Sequence, residues 1–300
     1  MMSRSLVPRS GWRRGVHDLI VNPWGKPRFL RLVGVAFIVW TLIPIVLAIL
    51  FSFNPGRSIS ALQGFSLRWY VGDPVESVWH DPALRRALAQ SLQLAVGTVV
   101  FAVPLGVTFA LGIDRWRGRA AGAVDFAMLL SFVVPELVIA VALFLLFTNL
   151  FDAVGLGTIA QLAGLVVLSM SLVVVVVRTR LVSLGRSYEE AAMDLGASPF
   201  ETIRFVVVPL LMPAILSAAA TLFVFTLDDF VIANQLSRDV STETIAVKIW
   251  AARGTPTPVV NALGTLMLVF SLVVAALAFV VYRRLTRGER RPPAGLPLAR

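Results

Sequence analysis

The chain has 300 residues, of which 57% are apolar and 15% charged, and it carries a net charge of +10. Soluble domains average about 45–50% apolar and about 25% charged residues, so this composition is that of a membrane protein. The lack of cysteine excludes disulfides, thiolate metal sites and cysteine nucleophiles. Neither His17 nor His80 stands in a zinc-binding motif, and neither Lys26 nor Lys248 follows a phosphate-binding glycine loop. We therefore expect no catalytic residue, no metal site and no cofactor in this chain.

Six apolar stretches are long enough to cross a bilayer. A hydrocarbon core about 30 Å thick needs about 20 helical residues, and an open sheet cannot satisfy its backbone there. The predicted spans cover about 32–53, 90–113, 124–148, 160–177, 207–229 and 260–282. The sequence therefore predicts an all-α membrane protein with a six-helix transmembrane domain over 32–282. A flexible basic tail over 1–31 precedes this domain, and a second tail over 283–300 follows it.

Basic residues indicate how these spans are oriented. Most of the 27 lysines and arginines lie in the two tails and in the loops 114–123 and 178–206. Because basic flanking residues stay on the cytoplasmic side, both termini and both loops are predicted to be cytoplasmic. The charge therefore borders the membrane lipid and forms no single basic face, so nucleic acid is not an expected partner.

The segment between the fourth and fifth spans contains helix start and stop signals. Ser187 followed by Glu190 is typical of a capping box, and Ser198-Pro199-Phe200-Glu201 is a second one with proline at the first helical position. Gly196 fits the left-handed residue that closes a helix. These signals predict a short helix at about 187–197, a tight turn, and a second helix that leads into the fifth span.

The short helix presents a small apolar face. Ala191, Ala192 and Leu195 form that face, and Glu189, Glu190 and Asp194 surround it. A loop that faces water offers such a face nothing to pack against, so we expect a partner protein to bind it.

The spacing of this segment resembles a known motif. Glu190-Ala191-Ala192, Gly196, Val206 and Val208-Pro209 match the pattern E-A-A-x3-G-x9-I-x-L-P of bacterial ATP-binding-cassette importer permeases, with valine in place of isoleucine and leucine. The resemblance implies the type I (MetI-like) permease fold and a coupling helix that docks on a separate ATPase subunit. The implied coupling residues are Ser187, Glu190, Ala191, Ala192, Asp194, Leu195 and Gly196. A structural loop helix with ordinary caps is the alternative.

Further segments resemble the second permease of spermidine/putrescine-type importers. They are Phe65-Ser-Leu-Arg-Trp-Tyr70, Gln90-Ser91-Leu92, Pro135-Glu136, Thr226-Leu-Asp-Asp-Phe230 and Asn261-Ala-Leu263. The resemblance implies an inner-membrane subunit that works by alternating access, with a second permease, two ATPase subunits that hold ATP and Mg²⁺, and an external solute-binding protein. The implied substrate is a polyamine, and another small organic solute remains the alternative. An ion-coupled carrier would need no ATPase dock, and a membrane enzyme is disfavoured by the missing catalytic motifs.

Three acidic residues are candidates for the substrate path. Glu136 lies near the middle of the third span, where an acidic group marks a functional site by default. Asp228 and Asp229 end the fifth span, at a depth that predicts the outer interface. Glu136 is interpreted either as part of the path or as a neutral, hydrogen-bonded structural acid. The aspartate pair is either an acidic lip that attracts a cation or a solvated helix end.

Two prolines mark the start of the fifth span. Pro209 and Pro213 are four residues apart, and each removes a backbone donor from the helix. We expect them to break the helix there and to permit a gating motion.

Overall fold

The structure is a computed structural model that describes residues 28–58, 61–115, 118, 121–151, 154–252 and 257–286. The regular elements in these ranges are helices, which confirms the predicted all-α class. Most of each predicted tail, residues 1–27 and 287–300, lies outside the described residues. The described helices are α1 Arg28–Ser52, α2 Pro82–Arg115, α3 Ala121–Val133, α4 Glu136–Asn149, α5 Thr158–Leu184, α6 Ser187–Asp194, α7 Pro199–Thr202, α8 Val208–Asp228, α9 Val231–Gln235, α10 Ile245–Ala251 and α11 Pro258–Thr286.

Within the ranges that the structure describes, five stretches of helix are long and apolar enough to cross a membrane. They are Leu30–Ser52, Pro82–Arg115, Thr158–Leu184, Pro199–Asp228 and Pro258–Arg284. The predicted third span consists instead of two shorter helices, α3 and α4, separated at Val134 and Pro135. Proline has no backbone donor and disfavours helical geometry in the preceding residue, and this explains the interruption.

The chain divides into two compact units, one ending at Leu50 and the other beginning at Phe51. The described part of the first unit is α1 without its last two residues, Phe51 and Ser52. Its apolar window has no buried residue and its helix contains Pro44. Exposed apolar side chains of this kind suit a helix that is surrounded by lipid.

The second unit has its largest core where α2, α5 and α8 pack together. Val173 and Leu211 at this junction have no exposed surface, and Leu222 is 1% exposed. Gly106 allows the close approach of α2 to α5, because a Cβ atom added there would lie 2.6 Å from Val173 Cβ. A small residue at a helix contact lets the two backbones approach closely in a membrane protein.

Buried amides connect α2 and α5 to the segment after α8. Gln90 Nε2 donates to Gln161 Oε1 over 2.8 Å, and Gln161 Nε2 donates to the carbonyls of Ala233 (2.7 Å) and Thr242 (3.0 Å). Close by, the hydroxyl of Ser91 accepts from the backbone N–H of Ile245 over 2.9 Å. These bonds satisfy buried polar groups, so they fix the segment that contains α9 and α10 onto the long helices.

The turn before α2 is held by Trp69 and Asp73. The indole of Trp69 is fully buried and donates to the carbonyl of Asn54 over 2.6 Å. Asp73 Oδ1 accepts from the backbone N–H groups of Glu76 and Val75, and its Oδ2 accepts from Arg68. These donors favour the ionised carboxylate, and they lower the pKa of Asp73 from 3.8 to about 2.

Candidate functional site

A cavity of about 810 Å³ opens between α4, α8, α9 and α11. It is lined by Glu136, Ser217, Ala220, Thr221, Val224, Phe225, Asp228, Asp229, Phe230, Val231, Ala275, Ala278, Phe279 and Tyr282. A volume in this range is typical of sites that hold a small molecule.

The cavity brings together the three acidic residues that the sequence singled out. Glu136 is the first residue of α4, Asp228 is the last residue of α8, and Asp229 follows it. Asp229 is 7% exposed, its Oδ1 accepts from the backbone N–H of Ala233 over 3.0 Å, and its carboxyl group lies beside that of Glu136. Asp228 is exposed. Glu136 and the aspartate pair were predicted in two separate places, and the structure makes them one acidic wall.

The rest of the lining is aromatic and small. Among the described residues that line the cavity, none is basic, and four are aromatic: Phe225, Phe230, Phe279 and Tyr282. Carboxylates and the faces of aromatic rings both attract cations, more strongly where water is excluded. The chemistry of this cavity therefore suits a positively charged organic molecule.

Sequence reasoning found the acidic lining residues but missed the hydroxyl groups of Ser217, Thr221 and Tyr282, although a signal was present. Ser217, Thr221 and Asp228 lie on one face of α8, and Ala278 and Tyr282 lie on one face of α11. Separations of three and four residues place side chains on the same face of a helix. Following this spacing back from Asp228 would have found the residues of α8.

A second cavity of about 290 Å³ lies on the other side of Glu136. It is bounded by Pro135, by Ser169 and Leu172 of α5, and by Phe225 of α8. Because Glu136 and Phe225 line both cavities, they form part of the wall between them. The interruption at Pro135 is what places the carboxyl group of Glu136 at this wall.

The predicted coupling helix is α6, which begins at Ser187 and ends at Asp194. Gly196 has φ +91°, its N–H donates to the carbonyl of Met193, and the N–H of Ala197 donates to that of Ala192. This is the predicted glycine closure, in the form called a Schellman motif. The prediction of a capping box at Ser187 and Glu190 is wrong, because Arg186 occupies the N-cap position and no side chain caps the helix there.

The second helix start is confirmed. The hydroxyl of Ser198 accepts from the N–H of Glu201, the Glu201 carboxylate accepts from the N–H of Ser198, and Pro199 is the first helical residue. This capping box begins only two residues after Gly196. The turn between α6 and α7 is therefore tight, as the sequence predicted.

The surface of α6 is open to solvent. The helix has no buried residue, and Leu195, which follows it, is 90% exposed. Glu190, Ala191 and Asp194 are exposed as well, and Ala192 is half-buried. An exposed leucine beside small and acidic residues is the surface that the sequence analysis associated with a partner protein.

The two prolines at the start of α8 do not interrupt the helix. The five residues from Ile203 to Val207 form a π-helical turn, in which the N–H of Val208 donates to the carbonyl of Ile203. Pro209 is the second residue of α8, one residue after Val208, and Pro213 is buried inside α8. Because neither proline can donate a backbone hydrogen bond, the chain widens into a π turn where we had expected a break.

Together these features define a membrane-spanning protein with an acidic and aromatic cavity and a short, solvent-exposed helix, α6. The chain belongs to the family of binding-protein-dependent transport system inner membrane components, which matches residues 102–291. The chain is therefore the permease subunit of an ATP-binding-cassette importer, a membrane protein with several spans, and transport is its activity.

Two sequence relatives cover most of the chain. It is 31% identical over 279 residues to the putrescine transport system permease protein PotI of Escherichia coli. The aligned region covers 91% of this chain and 94% of the relative. It is 32% identical over 248 residues to the spermidine/putrescine transport system permease protein PotC of the same species, which covers 82% and 91%.

Solved structures share the fold. A chain of a bacterial importer of the acidic polysaccharide alginate superposes with a TM-score of 0.65, at 17% identity, over 92% of this chain and 99% of that one. A chain of the MetNI methionine transporter superposes with a TM-score of 0.59, at 16% identity, over 68% of this chain and 96% of that one. These likenesses confirm the predicted type I permease fold.

Proposed function

We propose that this permease imports polyamines such as putrescine and spermidine across the bacterial inner membrane. The observation that carries the proposal is the cavity between α4, α8, α9 and α11, in which Glu136, Asp228 and Asp229 meet and no described lining residue is basic. Polyamines carry positive amines on flexible apolar chains, so acidic groups beside aromatic rings complement them. The names of PotI and PotC give the same substrate class independently.

The energy for transport comes from a partner, with α6 as the dock. ATP and Mg²⁺ bind to a separate ATPase subunit, and α6 with Leu195 and Gly196 enters a groove on that subunit. The support is the exposure of this helix and its match to the permease motif at Glu190, Ala191 and Ala192. A second permease and an external solute-binding protein complete the importer.

Closure of the ATPase subunits moves α6, and the spans then expose the cavity to the two sides of the membrane in turn. In the proposed membrane orientation, both termini and α6 face the cytoplasm, and Asp228 lies toward the outside. A positive amine delivered from outside meets the exposed carboxylate of Asp228 before it reaches the buried Asp229 and the half-buried Glu136. The widened turn before Pro209 and the proline at 213 serve as the flexible point of α8.

The test is uptake of radiolabelled putrescine into vesicles that contain the complete importer. Asp229→Asn keeps the acceptor for Ala233 but removes an acidic group from the wall, so we expect KM for putrescine to rise about tenfold or more as the cationic amine loses an acidic partner. Asp239→Asn is the matched control, because Asp239 is exposed in a turn away from the cavity. Wild-type uptake that spermidine and putrescine cannot inhibit would refute the polyamine assignment.

A further inference from the structure

Charged groups hold the coupling helix α6 to the end of α2. Arg115 Nη2 lies 2.8 Å from Glu189 Oε2, and the two side chains are only 31% and 18% exposed. Beside them, Arg186 Nη2 donates to the backbone carbonyl of Asp114 over 3.3 Å. An ion pair that is partly shielded from water is screened less by salt than an exposed one. Two contacts thus join helices that are distant in the chain.

The two neighbouring glutamates of α6 have different surroundings. Glu189 is half-buried against Arg115, whereas Glu190 is exposed. Successive residues of an α-helix differ by about 100° in direction, so adjacent carboxylates can face different neighbours. Glu190 belongs to the motif that is proposed to meet the ATPase, and Glu189 is already bound to its own chain.

α2 connects this contact with the cavity. The helix has 34 residues and is therefore about 51 Å long. Near its other end, Gln90 bonds to Gln161, and Ser91 bonds to the N–H of Ile245. Gln161 also bonds to Ala233 of α9, the helix whose first residue, Val231, lines the cavity. A continuous set of polar contacts and one long helix thus links α6 to the cavity wall.

We propose that Arg115 is a positioning residue that clamps α6 to α2 through Glu189, so that movement of the coupling helix displaces α2. This role rests on the proposed docking of the ATPase on α6. When the clamp is broken, the ATPase still binds and hydrolyses ATP, but less of the movement reaches the cavity. Uptake per ATP hydrolysed falls, and binding of the ATPase does not.

The experiment compares Arg115→Glu, Glu189→Arg and the double variant in the complete importer, with putrescine as the transported probe. Three quantities are measured: retention of the ATPase during purification, ATP hydrolysis, and putrescine uptake. Each single variant should retain the ATPase and lose about tenfold in uptake per ATP, within the range of coupling energies between protein sites. The double variant restores the pair with its charges exchanged and should recover most of the ratio. Arg284→Glu is the matched control, since it makes the same charge change at an exposed position of α11.

The clamp would be overturned if Arg115→Glu transported as much putrescine per ATP hydrolysed as the wild type. It would also be overturned if the double variant transported no more per ATP than the single variants. If Arg115→Glu fails to fold, Glu189→Gln and Arg115→Lys decide the matter: the first should uncouple and the second should not. Docking on α6 is tested separately by Glu190→Arg, which should release the ATPase. If Glu190→Arg releases the ATPase while Arg115→Glu keeps the wild-type ratio, the clamp fails and docking on α6 stands. If Glu190→Arg keeps the ATPase, docking on α6 fails, and the clamp fails with it.

Discussion

Gln90 and Gln161 form a buried amide pair, with 2.8 Å between the donor Nε2 and the acceptor Oε1. Gln90 is 6% exposed and Gln161 is not exposed at all. Buried amides of this kind are costly unless they are satisfied, and here Gln161 also donates to Ala233 and Thr242. One side chain thus anchors two points of the segment that frames the cavity.

Gln161→Leu should destabilise the protein by about 1–3 kcal/mol, because the carbonyls of Ala233 and Thr242 lose their donor. The measurement is the thermal unfolding midpoint of the purified protein in detergent. Gln93→Leu is the control, since Gln93 is an exposed amide on α2, three residues from Gln90. Equal midpoints for the two variants would contradict the anchoring role.

Gly106→Ala should lower the unfolding midpoint, because the new methyl group meets the side chain of Val173 and the carbonyl of Met170. Overpacking of this kind costs about 1–3 kcal/mol. Gly112→Ala makes the same chemical change on α2 where nothing lies within 4 Å, and it should leave the midpoint unchanged or higher. The close approach of α2 and α5 is refuted if both alanines behave alike.

Ala278→Phe should reduce putrescine uptake about tenfold, equivalent to about 1.4 kcal/mol, because the ring occupies the cavity between α8 and α11. The measurement is initial uptake rate in vesicles, with the unfolding midpoint recorded beside it. Ala276→Phe, on an exposed face of the same helix, should transport normally. Normal uptake by both variants would show that the substrate does not pass this cavity.

Pro213→Ala should lower uptake per ATP while leaving the unfolding midpoint unchanged or higher. The alanine supplies the backbone donor that proline lacks, and proline inside a helix costs about 3 kcal/mol relative to alanine. The start of α8 would then be more regular and less able to bend. Full coupled transport by this variant would remove the gating role, and Pro82→Ala at the first position of α2 serves as the control.

Asp73→Asn should make the turn before α2 less stable at neutral pH. The folded pKa of about 2 lies below the ordinary value of 3.8, so the contribution of this carboxylate is complete above about pH 4 and is lost as the pH falls through 2. The wild-type and variant unfolding midpoints should therefore differ at pH 7 and converge toward pH 2. A difference that stays constant over this range would mean that the charge of Asp73 contributes nothing.

Local signals in the sequence predicted local structure. Gly196 closes α6 because only glycine adopts its backbone angle without strain, and the Ser198 and Glu201 pair starts α7 through their own hydrogen bonds. Ser187 was misread because its pattern also fits a position inside the helix, with Arg186 before it. The family motif at Glu190 does not depend on that detail, and the comparisons confirm the family.

The cavity could not be predicted in the same way. Counting residues along each span placed Glu136 near the middle of the membrane and Asp228 at its outer interface. Such counting assumes that the helices are continuous and parallel. The helix of the predicted third span instead ends before Pro135. A new helix, α4, begins with Glu136, which lies beside Asp229. Periodicity shows which face of a helix is polar, but the neighbour of that face depends on tertiary packing that a single sequence does not contain.

The closure at Gly196 and the capping box at Ser198 have a further consequence for assembly. The carbonyls of Ala192 and Met193 at the end of α6, and the N–H groups of Ser198 and Glu201 at the start of α7, are satisfied within the chain. A surface that is already in its bound shape loses little conformational entropy when it associates. In the proposed complex, affinity for the ATPase is then set by the exposed side chains, so single substitutions on α6 should change the lifetime of the complex while its geometry stays the same.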